Sequence, residues 1–291
     1  MTNRQLNEII NRARNEYITN GKTDKFKNLC NMIMDENNVS HIIMFTNSVP
    51  GIDVREFGLI VLRDGSAEQN FEFALIDGAD TKAHREVIIK SLDVEANLKA
   101  GKQISDEYID EYVNRHGKVV LRGTPYQNFK YLKHNKSSQL DKQSHLNMII
   151  AKGNTFINTL CAKEIKGADI LAHGEMVISS KEVQPNFHFA KIKGADTQRH
   201  LDIVSQYGNA YENFEVLTTF RNSCNIKKHV QNIFSSKDNE VKYNCLMWLR
   251  EMGIMDKLKS CYELQKFVHD INSGKINIDD ITNEDRDDYL Y

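Results

Sequence analysis

Histidine recurs at a fixed distance from an acidic or amide residue along much of this sequence. Five histidines each follow an Asp or Asn by four residues: His84, His145, His173, His200 and His229. An Asp and a His at this spacing could form half of a Ser-His-Asp system. A catalytic pair would occur once, however, whereas this spacing repeats. The repetition indicates that the Asp caps a helix and that the His hydrogen-bonds a neighbouring helix.

Metal binding is the other chemistry that recurrent histidines could support. Ligands must lie within about 2 Å of one ion, whereas equivalent positions in packed repeats are about 8–10 Å apart. We therefore predict no metal site, no cofactor and no small-molecule substrate. The sequence also lacks GxSxG, HExxH, P-loop and GxGxxG motifs, which bring nucleophiles, metals or phosphates into catalytic sites. We expect no catalytic residue and a non-enzymatic protein, with an acid–base site as the alternative.

A basic stretch between residues 118 and 152 is the second candidate for chemistry. Seven basic residues and one acidic residue, Asp141, give it a local net charge of +6. The basic residues are Lys118, Arg122, Lys130, Lys133, Lys136, Lys142 and Lys152. Together with the interleaved aromatics Tyr126, Phe129 and Tyr131, they could contact nucleic acid or an acidic protein surface. We predict partner binding here, with a solvated insertion loop or a hinge as the alternatives.

Charge and composition limit the remaining function classes. The net charge is -2, so the chain as a whole is not suited to nucleic acid. Residues 1–100 carry a net charge of -3, residues 101–234 a net +5 and residues 235–291 a net -4. No apolar run resembles a signal peptide or a membrane span. Five cysteines at scattered spacings, with no CxxC pair, are typical of a reduced compartment, so we expect a cytoplasmic protein without membrane contact.

The elements that must position these residues form a repeat of about 27 residues. It is clearest in FALIDGADTKAH (73–84), CAKEIKGADILAH (161–173) and FAKIKGADTQRH (189–200). The proposed repeat origins are Asp24, Asp53, Asp80, Ser105, Asp141, Asp169, Asp196 and Asn225. An apolar residue follows each origin by eight positions: Met32, Val61, Ile88, Val113, Ile149, Val177, Val204 and Ile233. All eight origins are residue types that cap helix N-termini.

The repeat predicts an all-α fold. Each unit reads as two short helices, and a hairpin of this size must stack on its neighbours to bury its apolar side. We predict an α-solenoid of about eight helix-hairpin repeats with terminal capping helices. The predicted parts are a capping helix at 1–23, half-solenoids at 24–117 and 138–272, an irregular basic insertion at 118–137 and an acidic tail at 273–291.

At KGADILAHGEMVISS (166–180) and FAKIKGADTQRHLDIVSQYGNAYENF (189–214) the sequence resembles a tandem helix-hairpin repeat of low-GC bacteria, mycoplasmas and their phages. The pattern of that family runs roughly FAxxVKGADIxxLExAIIxSGNAxYIYxFA. This sequence often has His where the pattern has Leu, four residues after the Asp. The resemblance implies an α-solenoid and no shared activity.

We expect a non-enzymatic scaffold that binds a larger protein or ribonucleoprotein partner. Inhibition of that partner is one form that this function could take. A phage or mobile-element protein that inhibits a defence system would fit the resemblance. The alternative is a nucleic-acid-binding protein that uses the basic segment at 118–152. Residues just after each repeat origin vary freely, which disfavours a base-by-base recognition code.

Overall fold

The computed structural model describes residues 1–103, 109–135, 137 and 140–283. These residues form nineteen α-helices, one short 3-10 helix and no strand, which confirms the all-α prediction. The chain divides into two compact units, Met1–Ile149 and Ile150–Tyr291. In chain order, helices α2 to α17 give eight pairs of a first and a second helix, as the repeat predicts. Among the described residues, none of the helices is long and apolar enough to cross a bilayer.

The first unit contains a capping helix followed by hairpins. Its helices are α1 (Asn3–Asn20), α2 (Asp24–Glu36), α3 (Val39–Ser48), α4 (Val54–Asp64), α5 (Ala67–Ala74), α6 (Thr81–Ser91), α7 (Val94–Gln103), α8 (Ile109–Val120) and α9 (Pro125–His134). Helix α10 (Lys142–Ala151) contains the boundary between the units. Leu6, Ile9 and Ile10 of α1 are buried in a core shared with α2 and α3, so the predicted N-terminal cap is present.

The second unit continues the hairpins and ends in a different packing. Its helices are α11 (Thr155–Glu164), α12 (Ile170–Ser180), α13 (Val183–Phe189), α14 (Thr197–Tyr207), α15 (Ala210–Thr219), α16 (Ile226–Ser235), α17 (Asn239–Glu251), α18 (Tyr262–Asn272) and α19 (Ile278–Asn283). Helix α18 packs on α16 and buries Leu264 and Phe267, which covers the last hairpin. The predicted acidic tail begins with α19, which packs on α17; residues 284–291 lie outside the described residues.

Most predicted repeat origins are the N-caps of first helices. The side chains of Asp53, Asp80, Asp169, Asp196 and Asn225 each accept a backbone N–H bond from the first turn. In the first repeat Thr23, one residue before Asp24, is the cap, and the core residue is Ile33, one residue after the exposed Met32. The other seven apolar residues of the predicted column are fully buried.

The fourth repeat differs from its predicted register. The origin proposed at Ser105 lies outside the described residues, but His116 of α8, eleven positions later, takes the structural place of His84. The segment predicted as an irregular insertion at 118–137 is mostly regular, because Pro125 begins α9 and Thr124 forms a capping box with Gln127. The long spacing therefore arises earlier, between the end of α7 and the start of α8.

A buried asparagine in each of six second helices joins one hairpin to the next. Asn186 of α13 is fully buried, and its side-chain Nδ2 donates to the carbonyls of Val177 (3.0 Å) and Glu182 (2.7 Å). Val177 lies in the last turn of α12, where carbonyls lack a backbone partner within the helix, and its carbonyl also accepts from the Ser180 hydroxyl at 2.7 Å. The Oδ1 of Asn186 faces Nδ1 of His200 at 2.7 Å. One amide thus closes its own hairpin and holds the following one.

The same arrangement recurs three times in each unit among the described residues. In the first unit the pairs are Asn70–His84, Asn97–His116 and Asn128–His145, at 2.5–2.8 Å. In the second unit they are Asn158–His173, Asn186–His200 and Asn213–His229, at 2.6–2.7 Å. All five histidines predicted to hydrogen-bond a neighbouring helix do so. Because each Asn amide donates to carbonyls, its oxygen is left for His, and Nδ1 of His is the donor.

Burial keeps these histidines neutral. It lowers the pKa of His84, His145, His173, His200 and His229 to about 4. For His116, burial and the nearby Arg85 and Arg115 lower the pKa to about 3. With Nδ1 protonated, Nε2 is an acceptor; in His116 it faces Nη1 of the buried Arg85 at 3.4 Å.

Side-chain volume alternates from hairpin to hairpin beside this network. In three hairpins the first helix has a Gly directly after the place where most first helices have the buried His. In these hairpins the second helix has an aromatic ring beside that Gly. These pairs are Gly58 with Phe73, Gly117 with Tyr131 and Gly174 with Phe189. A Cβ on Gly174 would lie 3.1 Å from both the Phe189 ring and Nε2 of His200, so a larger residue would force the ring or the imidazole to shift. Two alternate hairpins have the large buried residue in the first helix and the smaller one in the second: Arg85 and Ala100, and Leu201 and Val216.

We expect Asn186→Ala to lower the free energy of unfolding by about 1–3 kcal/mol, because it leaves the Nδ1–H of His200 buried without a partner and removes one of the donors to the carbonyls of Val177 and Glu182. Urea denaturation at neutral pH measures this loss. Asn15→Ala is the control, because Asn15 is an exposed residue within α1. Equal stability of the two variants would contradict a structural role for the buried amide.

We also expect the free energy of unfolding to fall between about pH 6.5 and about pH 4. Unfolded histidine binds its proton near pH 6.5, whereas the buried histidines stay neutral down to about pH 4. The unfolded chain then holds more protons, so stability is complete above this window and is lost as pH falls. Each histidine adds a slope of about 1.4 kcal/mol per pH unit.

Urea denaturation at several pH values above about 5 isolates this effect, because carboxylates with ordinary pKa values near 4 titrate lower. His200→Gln should reduce the protons taken up on unfolding by about one, since it removes one of the titrating groups. A free energy of unfolding that stays constant across this range would show that the histidines are not held neutral.

Candidate functional site

The recurrent histidines and the cysteines are built into the core. Every histidine of the six pairs has Nδ1 bound to asparagine, and a pKa of about 4 makes imidazole a weak base near neutral pH. Burial likewise raises the pKa of the Cys161 and Cys245 thiols to about 12, which keeps them protonated and unreactive. In the part of the chain that the structure describes, no three His, Cys, Asp or Glu side chains are grouped to hold a metal ion.

The exposed side of the second helices is the surface that varies between repeats. Relative to the buried Asn, it consists of the residues two before, two after and five after, which lie on one side of a helix. We call these positions the second-helix face. In the first unit they are Glu68 and Glu72 in α5 with Leu75 just after it; Glu95, Lys99 and Lys102 in α7; and Tyr126, Lys130 and Lys133 in α9. In the second unit they are Phe156, Leu160 and Lys163 in α11; Gln184 and His188 in α13 with Lys191 just after it; and Tyr211, Glu215 and Thr218 in α15.

The basic part of this face in the first unit lies on α7 and α9. Burial and the nearby Lys102, Lys133 and Lys130 lower the pKa of His134, so three lysines from two helices lie close to that ring. Within α9, the ammonium of Lys130 lies 4.5 Å from the ring centre of Tyr126. Lys99 of α7 forms an ion pair with Glu68 of α5, at 2.6 Å, which links this part of the face to the preceding second helix.

The seven basic residues predicted from the sequence do not all lie on this face. Lys130 and Lys133 belong to α9, whereas Lys118 is on the first helix α8, Arg122 is in the following turn and Lys142 is in the first turn of α10. Lys152 belongs to the second unit, and Lys136 lies outside the described residues. Lys102, which the sequence analysis missed, joins the cluster. Its position five residues after a buried Asn, shared with Lys133, Lys163 and Lys191, could have revealed it.

The interleaved aromatics have two different roles. Phe129 and Tyr131 are buried in the core, and the hydroxyl of Tyr131 donates to the carbonyl of Val113. Only Tyr126 remains exposed, at 48%. The expectation that all three could stack on bases is therefore wrong, because helix periodicity turns two of them inward.

A groove on the second-helix face of the second unit lies between α11 and α13. Its volume is about 730 Å³, and its apolar lining includes Phe156, Leu160, Ala162, Pro185 and Ile192. The basic residues Lys163, His188, Lys191 and Lys193 also line it, and no acidic residue does. Phe156 is 63% exposed, although it is one of the larger apolar side chains of the unit. The groove combines an apolar surface with a positive rim.

No protein-family model, curated protein or solved structure matches this chain. The resemblance to tandem helix-hairpin repeats of low-GC bacteria therefore stays a prediction.

Proposed function

We propose that this protein is a non-enzymatic helical-repeat scaffold that binds a protein or ribonucleoprotein partner through its second-helix face. The observation that carries the proposal is the recurrence of exposed aromatics at one position of that face. Tyr126, Phe156 and Tyr211 each stand two residues before a buried Asn, and 48–63% of each is exposed. Exposed apolar side chains with charged neighbours are typical of protein interaction sites.

The structural use of the reactive side chains supports a non-enzymatic role. The buried histidines are hydrogen-bonded to asparagine, and their low pKa keeps them neutral. The high pKa of the buried cysteines keeps their thiols protonated. The face itself contains lysines, aromatics and aliphatic residues, which are suited to binding a macromolecule. Inhibition of the partner and an anti-defence role in a phage or mobile element belong to the proposal through the repeat resemblance. Action in the cytoplasm belongs to it through the scattered cysteines.

A variant combining Tyr126→Ser, Phe156→Ser and Tyr211→Ser should lose its partner, because it removes the apolar anchors and leaves the core intact. Affinity capture from the native host, with quantitative mass spectrometry and with nuclease as a second arm, measures the retained protein. We expect recovery to fall about tenfold or more relative to wild type.

The matched control for this capture combines Leu59→Ser and Leu171→Ser. Both leucines are as exposed as the aromatics, at 66% and 60%, but they lie on first helices. Recovery that is the same for all three proteins, or that falls only with the leucine variant, would reject the second-helix face as the binding surface.

Nucleic acid is the second candidate partner, and the cluster of Lys102, Lys130, Lys133 and His134 favours it. Three lysines around one histidine, beside the exposed ring of Tyr126, could contact phosphates and stack on one base. The proposed site is thus smaller than the whole segment 118–152 and includes a residue outside it.

If this cluster binds single-stranded RNA or DNA, affinity should fall steeply with salt. Fluorescence anisotropy of a labelled oligonucleotide at several salt concentrations gives the slope. Lys130→Glu with Lys133→Glu should reduce the slope by about 1.4, because two phosphate contacts are lost. Lys22→Glu with Lys27→Glu makes the same charge change on an exposed part of the same unit and should keep the slope. An oligonucleotide that fails to bind wild type would remove this candidate.

A further inference from the structure

The groove between α11 and α13 is lined by a residue that departs from the repeat. In five of the six second helices with a buried Asn, the next residue is large and apolar: Phe71, Leu98, Phe129, Phe187 and Phe214. In α11 that residue is Thr159, which lines the groove. The smaller side chain leaves the space that a phenyl or isobutyl group fills elsewhere. A cavity between the second helices α3 and α5, where Ile43 lies, measures only about 270 Å³, so the groove at α11 is the larger of the two.

We propose that this groove is the docking site for an acidic protein segment that inserts a large apolar side chain. The inference deepens the proposed function and rests on it. Leu160, Ala162, Pro185 and Ile192 provide aliphatic contacts, and the exposed ring of Phe156 stands at the same surface. A volume of about 730 Å³ is sufficient for apolar anchors of a helix or an extended segment.

Charge selects the kind of segment. Lys163, His188, Lys191 and Lys193 border the apolar lining, so the rim is positive and its complement is acidic. Two acidic residues of this unit form ion pairs away from the groove, Glu175 with Arg199 and Asp202 with Lys228. The ammonium of Lys191 lies 4.1 Å from the ring centre of Phe187, which holds that charge near the groove.

The lining favours a protein over a nucleic acid. Bases bind single-strand sites by stacking on flat aromatic rings. The groove has one exposed phenyl ring, Phe156, and one imidazole, His188, and the rest of its lining is aliphatic, polar or basic. Aliphatic walls instead accommodate Leu, Ile, Met or Phe side chains, as in grooves that bind amphipathic segments.

Selection of random dodecapeptides displayed on phage, with the full chain as bait, tests the partner chemistry without assuming it. We expect enriched peptides to carry several Asp or Glu residues and at least one large apolar residue. The affinity of a fluorescein-labelled selected peptide is then measured by anisotropy with wild type and variants.

Thr159→Phe should reduce the affinity about tenfold or more, because it fills the groove with the side chain that neighbouring hairpins use. Lys163→Glu combined with Lys191→Glu should reduce the affinity by a similar factor, because it reverses two charges of the rim and leaves the apolar lining unchanged. Circular dichroism confirms that both variants are folded. Leu171→Ser is the matched control: it removes a 60% exposed apolar side chain of the same unit, on the first helix α12 and outside the groove, and should change affinity by less than about twofold.

Enrichment of basic or uncharged peptides, absence of enrichment, or affinity unaffected by Thr159→Phe in the folded protein would each overturn the inference. So would a single-stranded oligonucleotide that displaces the peptide and binds the groove more tightly. Affinity capture separates this failure from failure of the proposed function. A partner lost with the triple aromatic variant but retained by Thr159→Phe would leave the second-helix face as the binding surface and exclude the groove.

Discussion

A buried amide cannot be left half-satisfied, and the stacking of this chain depends on that constraint. Each buried asparagine has two N–H donors and one acceptor oxygen, and because the side chain is buried, these groups must find their hydrogen-bond partners within the protein. Asn186 places its donors on carbonyls of its own hairpin and its oxygen on His200 of the next. Apolar contacts tolerate small shifts, whereas these bonds do not. The network therefore fixes which residues of successive hairpins meet, and the apolar core fills around it.

This constraint also explains where function can reside. The buried Asn and the residues one, three and four places after it are committed to the core, as Phe187, Phe189 and Ala190 are in α13. The remaining side of the same helix is free to change from repeat to repeat without affecting the stack. Along it, α5 has acidic residues, α9 has aromatic and basic ones, and α11 adds aliphatic ones. Variation on a constant frame is how solenoids acquire partner specificity.

The sequence predicted the helix caps, the core column and the bonding of the five histidines, because these follow from local capping and helical periodicity. It placed the fourth repeat incorrectly at Ser105, since many residue types can cap a helix and a cap alone does not define a register. The recurring asparagine, such as Asn97 before His116, would have supplied the missing alignment. The groove could not be foreseen in this way. It involves Thr159, which is smaller than the residue at this position of the other second helices. A single smaller residue does not change the periodicity or the caps from which the fold was predicted.

The paired volumes within each hairpin bear on how such a chain can evolve. Gly174 and Phe189 fit one another, and so do Leu201 and Val216 in the following hairpin. A recombination joint in the turn between two such helices would combine Gly with Val, leaving a void, or Leu with Phe, creating a clash. A joint between hairpins keeps both partners together, because either kind of hairpin meets the same asparagine and histidine on its neighbours. Whole hairpins are therefore the units that can be gained, lost or exchanged, and half-hairpins are not.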